Sequence, residues 1–214
     1  MKRWFAAAAC AVVLAASGSA SANVLALSPL ASGGFGNPIG LNLGWSFQVT
    51  VPVKVTALAY FEDSDPDPLQ GSHTVGIWAD GDGANPLAIA SVDPGDTVID
   101  IPLSNGTQHF YVQTIAGVVL TPGNTYVVSG TPNGADTIYQ APFFTLGAEI
   151  LFVSDRYGST PGGYAESGNG SVQAWLGGNF LYELADVAAA PEPGTLALLL
   201  GPLAAIAWRR RARC

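Results

Sequence analysis

Residues 53–92 read VKVTALAYFEDSDPDPLQGSHTVGIWADGDGANPLAIASV, and this stretch decides the fold class. Three runs rich in Val, Ile, Ala, Thr and aromatic residues, 53–61, 74–78 and 87–92, are separated by clusters of Gly, Pro, Asp and Asn. Such short runs between turn residues predict strands, because no 3.6-residue apolar period is sustained. In the first run Val53, Val55, Ala57 and Ala59 alternate with Lys54, Thr56, Leu58 and Tyr60. Both faces are largely apolar, so this strand is expected at the centre of a sheet and covered on both sides. In the second run Val75 and Ile77 point away from Thr74 and Trp78. Asp80-Gly81-Asp82-Gly83 tolerates positive φ and makes a hairpin of the second and third runs.

Outward from this stretch the pattern repeats. Further strands are expected at 44–49, 98–103, 109–115, 125–129, 149–153, 172–176 and 180–184. Several spacings fall near 8–12 residues, which predicts an all-β antiparallel sandwich or barrel rather than βαβ units. Thr121-Pro122-Gly123-Asn124 sets up a turn into the strand at Thr125. Residues 158–170 (GSTPGGYAESGNG) read as a flexible surface loop, and 186–190 as a linker. No internal repeat is present.

The chain has 214 residues, of which 11% are charged and 49% hydrophobic, room for one folded domain plus tails. Its charges are unevenly placed. Lys2 and Arg3 sit at the start, and Arg209, Arg210, Arg211 and Arg213 at the end. Between Asn23 and Ala190 only Lys54 and Arg156 oppose 15 of the 16 acids, a net charge of −13. Such a body repels nucleic acid and anionic lipid. Cys10 and Cys214 are the only cysteines. The folded region therefore contains no disulfide, thiolate metal site or cysteine nucleophile, and its core must hold by packing alone.

Both ends read as addresses. MKRWFAAAACAVVLAASGSASA (1–22) has a basic start, an apolar run and a small-residue ending. Ala20 and Ala22 offer the small side chains that signal peptidase accepts, so cleavage before Asn23 is expected. At the other end Pro191-Glu192-Pro193-Gly194 precedes an uncharged stretch, 195–208, and then the arginine cluster 209–213. The apolar stretch partitions into the bilayer, and the arginines resist translocation and stay cytoplasmic. Fourteen residues at about 1.5 Å each make a helix of roughly 21 Å, shorter than a typical core, and Pro202 interrupts it. This suits a transient anchor.

The order Pro-Glu-Pro, apolar helix, arginine cluster over residues 188–214 resembles the PEP-CTERM sorting signal of Gram-negative, biofilm-forming bacteria. The resemblance implies recognition and release by an exosortase, a membrane cysteine transpeptidase-like enzyme, with delivery to the cell surface or exopolysaccharide matrix. The same tail is also known as an ice-binding-protein C-terminal segment. Ice binding itself needs a flat Thr-rich face, and the chain has no T-x-T repeat.

A second, longer likeness covers 43–182. The runs VTALAYF (55–61), SHTVGIW (72–78), LAIASV (87–92), VLTPGNTYVV (119–128) and GNFLY (178–182) resemble, in order, an uncharacterised extracellular jelly-roll family found upstream of PEP-CTERM tails. The resemblance implies a jelly-roll-like antiparallel β-sandwich over 23–187 and carries no activity.

Catalytic chemistry finds little support. His73 and His109 are the only histidines, and neither lies in a nucleophile-elbow or two-His metal pattern. Glu149, Glu166 and Glu183 could be paired as acid and base only if their separation allowed it. Calcium is the sharper candidate. Asp63, Asp65 and Asp67 place carboxylates at alternate positions, able to wrap a hard cation, and Asp80 with Asp82 is a weaker second pair. The two loops flank strand 74–78 at opposite ends, so one shared site is not expected. Tyr164 and Trp175 are the candidate rings for stacking on sugars. The expected function is a non-enzymatic surface or matrix protein. A calcium-assisted carbohydrate-binding module is the first alternative and a polysaccharide hydrolase the second.

Overall fold

The computed structural model describes residues 23–36, 40–62, 69–103, 106–133, 136 and 138–185. They form strands numbered β1 to β13 in chain order, all paired antiparallel, with no helix among the described residues. One five-stranded sheet has the order β1 (Val24–Leu25), β13 (Asn179–Leu184), β4 (Val53–Glu62), β8 (Gly106–Leu120) and β7 (Thr97–Leu103). A second has the order β11 (Ile150–Gly158), β3 (Asn42–Val49), β9 (Thr125–Gly130), β5 (His73–Ala79) and β6 (Pro86–Val92). A third, three-stranded sheet is β12 (Ala174–Trp175), β10 (Ile138–Leu146) and β2 (Leu27–Gly36).

As its composition predicts, β4 is central, between β13 and β8, and both of its faces are buried from Ala57 onward. Tyr60 stacks on His73 of the second sheet, whereas the next residue, Phe61, meets Phe110 and Tyr139, the latter on the third sheet. At this end, therefore, the first sheet lies between the other two.

The simple alternation read from 53–60 does not persist along β4. Tyr182 pairs with Val55 but its neighbour Leu181 pairs with Ala57, so Thr56 is an extra, unopposed residue. A bulge of this kind reverses the faces beyond it. Opposed residues share a face, so Val55 with Tyr182 and Leu58 with Phe180 both point at the second sheet, and Ala57 and Ala59 point away.

Trp45 is the centre of the packing between the five-stranded sheets. Fully buried on β3, it stacks on Phe180 of β13 at 6.0 Å and 15°, and Phe47 lies 4.8 Å from the same ring. The indole Nε1–H donates to the Gly178 carbonyl at 2.9 Å, which satisfies the one polar atom of the ring. Asn179 makes a second tie. Its amide donates to the Leu27 carbonyl at 2.6 Å and its carbonyl oxygen accepts from Leu27 N–H at 3.3 Å, joining the third sheet to the first.

The third sheet departs from expectation, since neither β2 nor β10 is legible as a strand. Pro29 and several glycines interrupt β2, which survives as an edge strand, where proline costs no ladder bond. Pro142 interrupts β10, and it falls inside a register shift between Gln140 and Phe143. Proline is tolerated at such a bulge because no partner requires its missing N–H.

On the outer face of the second sheet, the Trp78 ring lies over Gly76. A Cβ at Gly76 would come within 2.4 Å of the ring, so only glycine leaves it room. Gly76→Val is expected to displace the indole and cost about 1–3 kcal/mol, the range for overpacking. Gly95→Ala meets nothing within 4 Å and should stay within about 0.5 kcal/mol of wild type in urea unfolding.

Candidate functional site

Strand β5 carries a polar cluster at each end, about 20 Å apart at the rise of a strand. At its start the His73 imidazole is fully buried and lies parallel to the Tyr60 ring, centroids 3.7 Å apart. Its Nε2 is 2.7 Å from Asp136 Oδ2, and its Nδ1 is 3.0 Å from the Thr131 carbonyl. Asp136 is itself buried, and it also accepts from Gln70 N–H at 2.8 Å and Asn133 Nδ2 at 2.9 Å. Burial and the nearby carboxylates of Asp136 and Glu62 push the Tyr60 phenol well above the ordinary tyrosine range.

In a nucleophile–base–acid arrangement one imidazole nitrogen faces the carboxylate and the other faces the nucleophile. Here a backbone carbonyl occupies the second position, so His73 has no nitrogen with which to activate a hydroxyl. His109 is spent in a similar way on one side, with Nδ1 2.7 Å from Asp100 Oδ1 across β7 and β8.

Beyond the far end of β5, Asp80 is held by two partners. Arg156 Nη2 donates to Oδ2 at 2.8 Å, and the Tyr164 hydroxyl donates to Oδ1. The same hydroxyl accepts from Gly81 N–H at 2.9 Å, which fixes the turn where Gly81 adopts a φ of 87°. The Asp80–Gly83 turn thus makes the expected hairpin, but Asp80 is tied to a cation of the protein. Asp82 turns instead to Asn85 Nδ2 at 3.0 Å. Among the described residues no group of three or more His, Cys, Asp or Glu could hold a metal.

The glycine-rich segment 158–170 folds back on the second sheet, anchored at several points. Tyr157 and Ser167 exchange backbone hydrogen bonds at 2.8 and 2.9 Å. Asp155, 1% exposed, accepts from the N–H groups of Asn169 and Ser171, both at 3.1 Å. The expectation of a merely flexible loop overlooked this buried carboxylate, because nothing in the run SDRYG distinguishes an inward Asp from a solvated one. Asp136 was missed for the same reason, since its run, TPNGADT, reads as an ordinary polar turn.

Of the two candidate stacking rings, Trp175 is buried at the rim of the core beside Leu43, 8% exposed, so its faces are not offered to a sugar. Tyr164 is half-buried, edge-on to Trp78 at 6.2 Å, with its hydroxyl committed to Asp80. The three glutamates have separate duties: Glu149 accepts from Tyr182 Oη at 2.6 Å, Glu183 pairs with Lys54 at 2.9 Å, and Glu166 lies against Gly158. Asp63, Asp65 and Asp67 lie outside the described residues, as do Ala20, Ala22, Pro191, Glu192, Pro193, Gly194 and Arg209, Arg210, Arg211 and Arg213.

Compared with known proteins, the chain matches no family model, no curated protein and no solved structure.

Three phenols are held above their ordinary range: Tyr60 and Tyr182 by burial and nearby carboxylates, and Tyr164 by partial burial and its bond to Asp80. A phenol that resists ionisation in the fold contributes stability below its unfolded value near 10, and that contribution is lost as pH rises beyond it. Urea midpoints are therefore expected to fall steeply above pH 10. Phenolate absorbance should show that Tyr60 and Tyr182 titrate only with unfolding. Free titration of all seven tyrosines in the folded protein would contradict this.

Proposed function

We propose that this is an exported, non-enzymatic protein of the cell surface or exopolysaccharide matrix of a Gram-negative bacterium. Its domains are a secretory leader (1–22), a jelly-roll-like β-sandwich (23–187) and a PEP-CTERM sorting tail (188–214). The single observation that carries the reading is the order of the tail: Pro191-Glu192-Pro193, an uncharged 14-residue stretch, then four arginines within five positions. Signal peptidase opens the route. The short helix holds the body at the outer side of the inner membrane, and an exosortase releases it.

Two features of the folded body support this reading. The jelly-roll assignment draws on the way the chain crosses between the five-stranded sheets at β3–β4, β4–β5, β6–β7 and β8–β9. Delivery between two processing points draws on the placement of the two ends of the described body. Val24 pairs with Tyr182, and Ala185 N–H donates to the Pro52 carbonyl, so Asn23 and Ala185 emerge side by side. A structural or binding role fits a body in which both histidines and most described carboxylates are committed to internal partners.

Mass spectrometry of the protein recovered from culture surface fractions tests the proposal. The expected mature chain starts at Asn23 and ends near Pro191–Gly194. An uncut chain, 1 to 214, in the soluble cytosol would overturn it.

A further inference from the structure

Both ring nitrogens of His73 face oxygens that bring no proton of their own. Nδ1 is 3.0 Å from the Thr131 backbone carbonyl, and Nε2 is 2.7 Å from a carboxylate oxygen. A neutral imidazole has a single N–H and leaves one of these two contacts without a proton, unless Asp136 supplies it. Asp136, however, already accepts from Gln70 N–H and Asn133 Nδ2, and a carboxylate receiving several donors favours its ionised form. The ring is also stacked flat on one face against Tyr60, the arrangement in which an aromatic face attracts a cation.

We propose that His73 and Asp136 form a buried imidazolium–carboxylate clasp, and that the clasp is a pH-sensitive device. While the ring holds both protons, it fastens Asp136, and Asp136 in turn fastens Gln70, so the start of β5 is pinned to the segment that follows β9. Loss of one ring proton strips a donor from a site from which water is excluded, and the hold on Gln70 loosens. The titratable groups around the ring are Tyr60 and Glu62 from β4 and Asp136 itself. Just beyond are Tyr111 from β8, whose hydroxyl accepts from Leu69 N–H, and Asp93 after β6, bonded to Ser72. None of these neighbours supplies a competing cation.

The direction follows from the pair. The clasp is closed where the ring is doubly protonated and Asp136 ionised, and it opens as pH rises and the ring becomes neutral.

Nitrogen-15 spectra of the histidine rings in the full chain, kept in detergent micelles, test this. His109→Gln leaves His73 as the only signal. In the clasped form both His73 nitrogens should give imidazolium shifts. As the ring turns neutral at higher pH, hydrogen-exchange protection of the Gln70 amide should fall about tenfold, while that of Ala59 in β4 stays unchanged. Asp136→Asn should favour the neutral ring and abolish the pH-dependent change at Gln70. If Asp136→Asn fails to fold, the ring shifts of the His73-only chain decide alone. A neutral ring with one bare nitrogen at every pH where the chain stays folded would overturn the proposal, as would Gln70 protection that ignores the ring.

Discussion

The two five-stranded sheets meet face to face around one indole that reaches across with both its ring and its N–H. Trp45 stacks on Phe180 and donates to the Gly178 carbonyl, so apolar packing and a directional bond fix the same pair of strands. This contact matters because the folded region has no covalent tie. The chain's only cysteines, at positions 10 and 214, lie outside the described residues. A buried tryptophan satisfied in this way contributes through area and removes the penalty of an unpaired N–H. Phe47, Phe152 and Tyr126 extend the cluster along the interface.

Polar groups then determine how the ends of the sandwich are finished. Asp136, Asp155 and Asp80 each gather donors from chain that would otherwise be unpaired loop. In a body with a large acidic excess this use of carboxylates has a consequence. Acids that look in the sequence like a solvated or cation-binding surface are partly consumed as internal acceptors. The two cations of the sandwich, Lys54 and Arg156, are themselves paired with Glu183 and Asp80.

How much of this was legible depended on whether a residue's role was local. The strands of 53–92, the hairpin at Asp80–Gly83 and the centrality of β4 follow from alternation and turn chemistry, which act over a few residues. The bulge at Thr56 did not, because a bulge is a property of two strands and shows only in their register. Nor did β10, since Pro142 reads as a break until its partner strand supplies the irregular register that accommodates it. For the clusters, His73 could be seen as a structural histidine. Its partner Asp136 lies 63 residues away and carries no mark of its own. The proposed sorting signal is the reverse case, because its reading rests only on the linear order of residues in 188–214.

A double-mutant cycle on Trp45→Leu and Phe180→Leu, read by urea unfolding, tests the cross-sheet contact most directly. The two losses are expected not to add, with a coupling of about 0.5–1.5 kcal/mol, as for a stacked aromatic pair. Losses that add to within about 0.3 kcal/mol would show that the two rings do not act together, and would contradict this expectation.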